Sequence, residues 1–330
     1  DLPWQSTCDP YRIWLSEIML QQTQVSTVIP YYARFLDRFP DIPALAQAPV
    51  ETVLELWAGL GYYARARNLH RCAQTLVANH CGSFPKSAEE IVQLPGIGRS
   101  TAAAIAAFAF GQRAAILDGN VKRVLTRCFG IDGIPGTAQT DRQLWALAQS
   151  LLPRTDIEHY TQGLMDLGAS LCARSKPRCA NCPMTEICVA QQTGRQTELP
   201  AIKLKKARPE RHTSMLLLTD RKRVLLERRP PTGIWGGLLS LPEGSETDAA
   251  KLARRHGAGL QKIEALTSVK HSFTHFHLLI HPLLCTVTPA TGVAAEPGWQ
   301  WISFEDIGHA ALAAPIKRLL KKLAPPARVS

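Results

Sequence analysis

Four cysteines fall close together as Cys172-x6-Cys179-x2-Cys182-x5-Cys188. Four thiolates on one short stretch can surround a single inorganic centre, and their soft sulfur suits zinc or an iron–sulfur cluster. Zinc sites more often pair two Cys-x2-Cys knuckles, whereas this stretch has one, and its wider intervals leave room for a cubane. The spacing therefore favours [4Fe-4S] over zinc. Electron transfer and a structural staple both remain open as its role. Arg174, Lys176 and Arg178 make the loop basic, as a surface facing an anion would be.

A second pattern is Leu94-Pro95-Gly96-Ile97-Gly98-Arg99-Ser100-Thr101, which leads into an alanine-rich stretch, residues 102–110. Two glycines around one apolar residue permit a tight hairpin whose backbone N–H groups approach a ligand without Cβ obstruction. The start of the next helix adds partial positive charge suited to a phosphate. Many helix–helix turns look similar, so the preceding Leu-Pro and the buried helix that follows carry the weight.

The elements that must hold these groups follow from the rest of the chain. Its 330 residues suggest two domains. With 45% hydrophobic and 20% charged residues, neither disorder nor a fibrous repeat is in play. The apolar run 100–111 is too short to span a membrane, and no secretory signal pattern opens the chain. It starts at Asp1, so loss of a few upstream residues is expected. Nine cysteines with four of them clustered do not form a disulfide framework, and Cys8, Cys72, Cys81, Cys128 and Cys285 read as small core residues. A net charge of +11 fits a polyanionic partner and leaves nucleic acid and membrane surface both open.

From Pro10 to about Gln192 apolar residues recur at helical spacing, punctuated by Phe39-Pro40, Gly59-Leu60-Gly61, Pro95-Gly96 and Pro135-Gly136. This half is all-α. Residues 193–211 carry Gly194, Pro200 and Pro209, and Arg195, Lys203, Lys205, Lys206, Arg208 and Arg211 outnumber Glu198 and Glu210. The segment reads as a linker, either a solvated tether or a strap on phosphates. Strand-like runs then follow at 214–219, 224–228, 277–286 and 299–302, with helices at 247–257 and 314–323. The second domain is α+β.

The hairpin at 94–101, Asp118 within Ile116-Leu117-Asp118-Gly119-Asn120-Val121, and the cysteine loop together resemble the helix-hairpin-helix DNA glycosylases. Within that superfamily, residues 14–25 (Trp14 to Val25) and Gly59-Leu60-Gly61-Tyr62-Tyr63-Ala64-Arg65 look like the MutY family of adenine glycosylases. Phe273-Thr274-His275-Phe276-His277 is similar to the Phe-Ser-His loop of that family's C-terminal domain. The resemblance spans nearly the whole chain.

It implies a helix-hairpin-helix six-helix module plus iron–sulfur module over 1–192, with the [4Fe-4S] loop at 172–188. A basic linker at 193–211 and a Nudix-like recognition domain at 212–330 complete the chain. The implied activity is monofunctional hydrolysis of the N-glycosidic bond of adenine mispaired with 8-oxoguanine or guanine, a step of base excision repair. The implied partner is double-stranded DNA carrying that mispair, acted on by a monomer in a bacterial cytoplasm, at the nucleoid and not at a membrane. An alkali or alkaline-earth ion at the hairpin is the companion expectation.

Breaking that bond calls for a carboxylic acid to protonate the leaving base and a carboxylate near the forming sugar cation. Glu17 is the candidate acid, because its apolar and amide-rich surroundings (Ile13, Trp14, Ile18, Met19, Leu20) should raise its pKa towards neutrality. Asp118 is the candidate stabiliser, although an Asp at a helix start is ordinarily an N-cap. By resemblance Glu17 protonates adenine N7, Asp118 stabilises the cation and Asn120 positions Asp118. Gln22 and Tyr62 wedge beside the opposing base, and Leu20 packs near the adenine pocket with Trp4. Gln162 and Met165 face the extruded adenine. Gly96 and Gly98 hold a phosphate, and Phe273, Thr274 and His275 read 8-oxoguanine. Ser100 stands where endonuclease III-like relatives carry a nucleophilic lysine, so no Schiff base is expected there. The segment at Trp235-Gly236-Gly237 resembles the entry to a Nudix box. The glutamates of the box are missing, with Arg254 and Arg255 in their stretch, so a reader is expected rather than a hydrolase.

Overall fold

A computed structural model describes residues 2–202, 207–290 and 296–324. Lys203, Lys205 and Lys206 of the linker, and Arg328 of the basic tail, lie outside the described residues. The chain divides into two compact units, Asp1–Gln47 with Asn68–Lys205, and Ala48–Arg67 with Lys206–Ser330.

The helical half runs α1 (Pro10–Leu20), α2 (Val25–Arg38), α3 (Ile42–Gln47), α4 (Val50–Trp57), α5 (Ala64–His80), α6 (Ala88–Ile91), α7 (Arg99–Phe110), α8 (Gly119–Cys128), α9 (Ala138–Ser150), α10 (Ile157–Asp166) and α11 (Val189–Gln192). A π-helical turn, Leu167–Leu171, continues α10. Helix α1 starts where Asp9 accepts the Tyr11 N–H at 2.9 Å and Pro10 presets the first turn. It buries Ile13, Trp14, Leu15, Ile18 and Met19, each contributing roughly 1.5–3 kcal/mol of burial free energy. Its neighbour α7 has alanines 102, 103, 104, 106 and 107 buried, and such small side chains let the two helices approach closely. Gly111, in the left-handed region at φ 62°, ends α7. A core cluster with Ala103, Ile116, Leu117, Val121, Leu125 and Leu144 joins α7, α8 and α9.

The second unit is built on a sheet of β1 (Glu210–Thr219), β2 (Arg223–Arg228), β3 (Leu239–Ser240), β4 (Leu260–Ala265), β5 (Val269–Ser272), β6 (His277–Val287) and β7 (Trp299–Ser303), with α12 (Glu246–Arg255) and α13 (Ala314–Leu323). The order is β3-β2-β1-β6-β4, with β5 on β6 and β7 on β2. Strands β1 and β6 are parallel from Glu210↔His277 to Thr219↔Thr286. Helix α12 covers one face, packing Ala249 and Ala253 on Leu216 and Leu218. Residues 48–67 belong to this unit: Arg67 donates to the Gly236 carbonyl at 2.6 Å, and Glu51 lies 4.0 Å from Arg228. Three differences from the sequence reading stand out, the first being that Cys8 and Cys81 are exposed rather than core residues. Strand β1 begins at Glu210 rather than 214, so Arg211 is a strand residue, and β4 and β5 carry no apolar run that would announce them.

Candidate active site

Glu17 sits on α1 among Trp14, Leu15, Ile18 and Met19, retaining only partial access to solvent. Its carboxyl has no hydrogen-bond or ion-pair partner among the described residues. Burial first, and then the charge of Asp118, raise its pKa to about 7. A group so tuned keeps a protonated fraction at neutral pH, which a general acid needs. Asp118 is the N-cap of α8, and its Oδ1 accepts the Val121 N–H at 2.7 Å. The residue before it is fixed by Ser100, whose Oγ accepts the Leu117 N–H at 2.9 Å. The structure thus brings Glu17 and Asp118 within electrostatic reach of each other, and Ser100 braces the turn that carries Asp118.

Asn120 is held from behind. Its Oδ1 accepts from Arg123 Nη2 at 2.9 Å, and the same guanidinium donates to the carbonyls of Gly168 at 2.6 Å and Cys172 at 2.7 Å. Gly168 lies in the π-turn after α10, and a Cβ there would stand 2.7 Å from the Asn120 Cβ. Only glycine permits that approach. Sequence reasoning missed Arg123 and Gly168, because nothing local in either residue announces a partner so far along the chain.

Among the described residues no three His, Cys, Asp or Glu side chains converge as ligands of one ion must. Cys172, Cys179, Cys182 and Cys188 instead line one cavity together with Val124, Leu167 and Leu171. Four soft donors lining one apolar hollow fit a thiolate-held centre. Arg127, 3% exposed, donates to Cys172 Sγ at 3.4 Å and to the Ala173, Arg174 and Leu199 carbonyls at 2.8, 3.1 and 2.8 Å. These bonds fix the loop that carries the Cys172 sulfur.

In the hairpin, Gly96 has φ 77° and its missing Cβ would collide with the Asn68 Cβ at 2.5 Å. Gly98 is the uncapped N-cap of α7, with open space where a Cβ would stand. Arg99 stacks on Trp145 at 3.8 Å. The first N–H groups of a twelve-residue helix are thus presented to solvent beside a pinned cation. Gln162 and Met165 lie one turn apart on α10, which packs on α7 and α8, and the Gln162 amide is tied to Asp166 at 2.8 Å. Trp4 is buried edge-on against Tyr32 at 5.3 Å, and Leu20 is half-buried at the end of α1. Gln22 and Tyr62 share an unforeseen property: both are exposed and both hold left-handed backbone, at φ 56° and 48°. Such strain in non-glycine residues clusters at functional positions.

The Phe273–Phe276 turn lies in the second unit, as does Tyr62. Phe273 N–H donates to the Phe276 carbonyl at 2.9 Å and the two rings stack at 4.8 Å, leaving Thr274 and His275 exposed at the tip. Trp235 and His271 support Phe273 from 5.6 and 4.6 Å. Arg208 donates to the Phe273 carbonyl at 3.3 Å and Arg211 covers the Phe276 ring at 4.5 Å. In the Nudix-like frame Arg229 lies between Glu227 at 3.4 Å and Glu243 at 2.9 Å, so its guanidinium balances these carboxylates. Arg255 is paired with Glu296 at 2.6 Å.

Comparison with known proteins agrees with this layout. Residues 15–150 match the family described as HhH-GPD superfamily base excision DNA repair protein, and residues 213–322 match the NUDIX domain. The chain is 36% identical to the adenine DNA glycosylase of Buchnera aphidicola subsp. Baizongia pistaciae, over 98% of this chain and 92% of that protein. It is 32% identical to the human adenine DNA glycosylase, over 97% of this chain and 71% of that one. Among solved structures, a thermostable thymine-DNA glycosylase matches with TM-score 0.53 and 31% identity, covering 58% of this chain and 89% of that one. No helix among the described residues is long and apolar enough to cross a membrane.

Proposed function

Because the chain belongs to the adenine DNA glycosylases, which remove adenine in base excision repair, we propose that Glu17 is the acid and Asp118 the carboxylate of that reaction. The observation that carries this reading is the unpaired, part-buried Glu17 carboxyl raised to about 7 within reach of the Asp118 charge. Protonated Glu17 donates to adenine N7, which makes the base a better leaving group and draws electrons from the glycosidic bond. The developing sugar cation is stabilised by Asp118, whose orientation is fixed by its cap to Val121 and by Ser100. Water then completes hydrolysis to an abasic site.

The adenine must leave the duplex to reach these groups. Gln22 and Tyr62 wedge beside the opposing base, Gln162 and Met165 line the pocket with Leu20 and Trp4, and Gly96 and Gly98 would hold a phosphate, whose charge an alkali or alkaline-earth ion would help to neutralise. Cys172, Cys179, Cys182 and Cys188 hold a [4Fe-4S] cluster that, when bound, closes the loop following α10. Residues 1–192 form the glycosylase part, except that 48–67 pack within the second unit; 193–211 form the linker, which enters β1 at Glu210, and 212–330 the reader. Thr274 and His275 recognise 8-oxoguanine opposite the adenine, and the Arg229-neutralised glutamates support a reader without hydrolase activity. The enzyme is a monofunctional monomer acting on nucleoid DNA in a bacterial cytoplasm. Supporting the absence of lyase chemistry, Ser100 offers no amine and Lys122 is paired with Asp141 at 2.6 Å.

A single-turnover assay tests substrate and outcome together. A duplex with adenine opposite 8-oxoguanine should give strand product only after alkali, faster than the duplex with adenine opposite guanine. Thr274→Ala with His275→Ala should erase that preference. Strand breaks without alkali, or an unaltered preference in the double variant, would contradict the respective assignment.

A further inference from the structure

The turn at 273–276 bears two arginines with no carboxylate partner among the described residues. Arg208 holds its first carbonyl and Arg211 lies over its last ring. Strand register puts Arg211 and His271 in one row, both opposite Leu278, so their side chains leave the same face of the sheet. That face is opposite the one covered by α12, whose partners Leu216 and Leu218 have the other parity along β1. Helix α13 brings Arg318 within electrostatic reach of His271, and Lys321 and Lys322 follow Arg318 on the same helical face. It buries Pro315, Ile316, Leu319 and Leu320 and exposes Arg318, Lys321 and Lys322. Burial, and then the Arg318 charge, lower the pKa of His271, whose ring touches Phe273 at 4.6 Å.

None of Arg208, Arg211, Arg318, Lys321 and Lys322 is in an ion pair among the described residues. Helix α13 stacks Lys317 on Lys321 and Arg318 on Lys322 at the i,i+4 spacing, where like charges repel. The C-terminal end of a helix welcomes cations, which accounts for Lys321 and Lys322 but not for Arg318, nearer the middle. A surface that sets unpaired guanidinium groups on an aromatic turn, and continues in ammonium groups one helical turn beyond Arg318, suits an anion outside the chain.

We propose that Arg208, Arg211, Arg318, Lys321 and Lys322 form a collar that grips backbone phosphates of the strand whose base is read by Thr274 and His275. This rests on the reading of the turn given above. The phosphate contacts carry no sequence information. They set the register at which the tip meets the base, while the tip supplies the discrimination.

The test is the salt dependence of binding by the full chain. The probe is a duplex with 8-oxoguanine opposite a non-cleavable 2′-fluorinated adenosine, titrated at several salt concentrations. Each phosphate released from the collar by a substitution should flatten the plot of log affinity against log salt by about 0.9. Arg318→Gln/Lys321→Gln/Lys322→Gln should therefore lose about 40-fold less affinity than wild type between roughly 50 and 200 mM salt. The flattening should be the same when guanine replaces 8-oxoguanine. Lys222→Gln/Lys251→Gln/Arg254→Gln removes equal charge from the β1–β2 turn and from α12, and should leave the slope unchanged. An unchanged slope in the α13 variant, or equal flattening in the control, would overturn the collar. Thr274→Ala/His275→Ala should remove the 8-oxoguanine preference at constant slope. A flattened slope in the α13 variant together with an intact preference in the tip variant would keep the phosphate grip and overturn the reading of the turn.

Discussion

Asp118 Oδ1 accepts the Val121 N–H at 2.7 Å, so the carboxylate assigned to the sugar cation is also the cap of α8. One oxygen is engaged and the other has no partner among the described residues. The two duties separate by substitution. Asp118→Asn keeps a good cap and removes the charge, so stability should stay within about 0.5 kcal/mol while single-turnover excision falls by roughly 100-fold or more. Asp118→Ala should lose both, with about 1 kcal/mol from the cap. Denaturant unfolding beside excision kinetics distinguishes them, and an active Asp118→Asn would reduce Asp118 to a cap.

Glu17 makes stability depend on pH. Its pKa is about 7 in the folded chain against 4.5 unfolded, so the folded state favours the protonated form. That contribution is fully present below the unfolded value and is lost as pH rises through 7. Glu17→Gln should gain stability over wild type, on the order of 3 kcal/mol, as pH climbs from 4 to 9. Wild-type excision should decline above pH 7 as the acid ionises. A stability difference that does not vary with pH would show that Glu17 is not held protonated.

Arg123 and Gly168 should matter although neither faces the reacting atoms. Gly168→Ala places a methyl 2.7 Å from the Asn120 Cβ and should cost about 1–3 kcal/mol and slow excision. Arg123→Lys keeps a charge but cannot hold Asn120, Gly168 and Cys172 together, so a slower single-turnover rate at unchanged DNA affinity is expected. Loss of affinity in step with rate would instead indicate a general loosening.

The two hairpin glycines should respond differently. Gly96→Ala meets both φ 77° and a 2.5 Å contact with Asn68, and should destabilise by about 2 kcal/mol or more. Gly98→Ala has room and ordinary backbone, so its stability cost should stay below about 1 kcal/mol. DNA binding should still weaken, because the methyl takes the space of the phosphate. Equal DNA affinity in Gly98→Ala would remove the hairpin from the interface.

Metal content tests the cysteine loop. The purified chain should carry iron and sulfide rather than zinc, and Cys182→Ser should lower the iron content. Arg127→Ala should loosen the same loop, since five of its hydrogen bonds end on Cys172, Ala173, Arg174 and Leu199. Zinc at one equivalent with full stability would contradict the cubane.

Much of this is legible in the sequence. Apolar spacing marks the helices up to Gln192, Leu-Pro-Gly-x-Gly marks the hairpin, and Asp118 stands at a helix start. What stays hidden depends on residues far apart along the chain. The Asn120–Arg123–Gly168–Cys172 linkage is tertiary, and Gly168 looks like any glycine until its Cβ is built. Strands β4 and β5 expose residues such as Gln261, Glu264 and Lys270, so period-two alternation is too weak to see. The left-handed backbone of Gln22 and Tyr62 contradicts local preference, which is why only the fold reveals it.

The most direct test of the central claim is Glu17→Gln assayed in single turnover on adenine opposite 8-oxoguanine, with affinity measured on the same duplex. The account predicts wild-type affinity and loss of excision, since an amide fills the pocket but has no proton to give to the base. Excision near the wild-type rate would contradict the assignment of the acid.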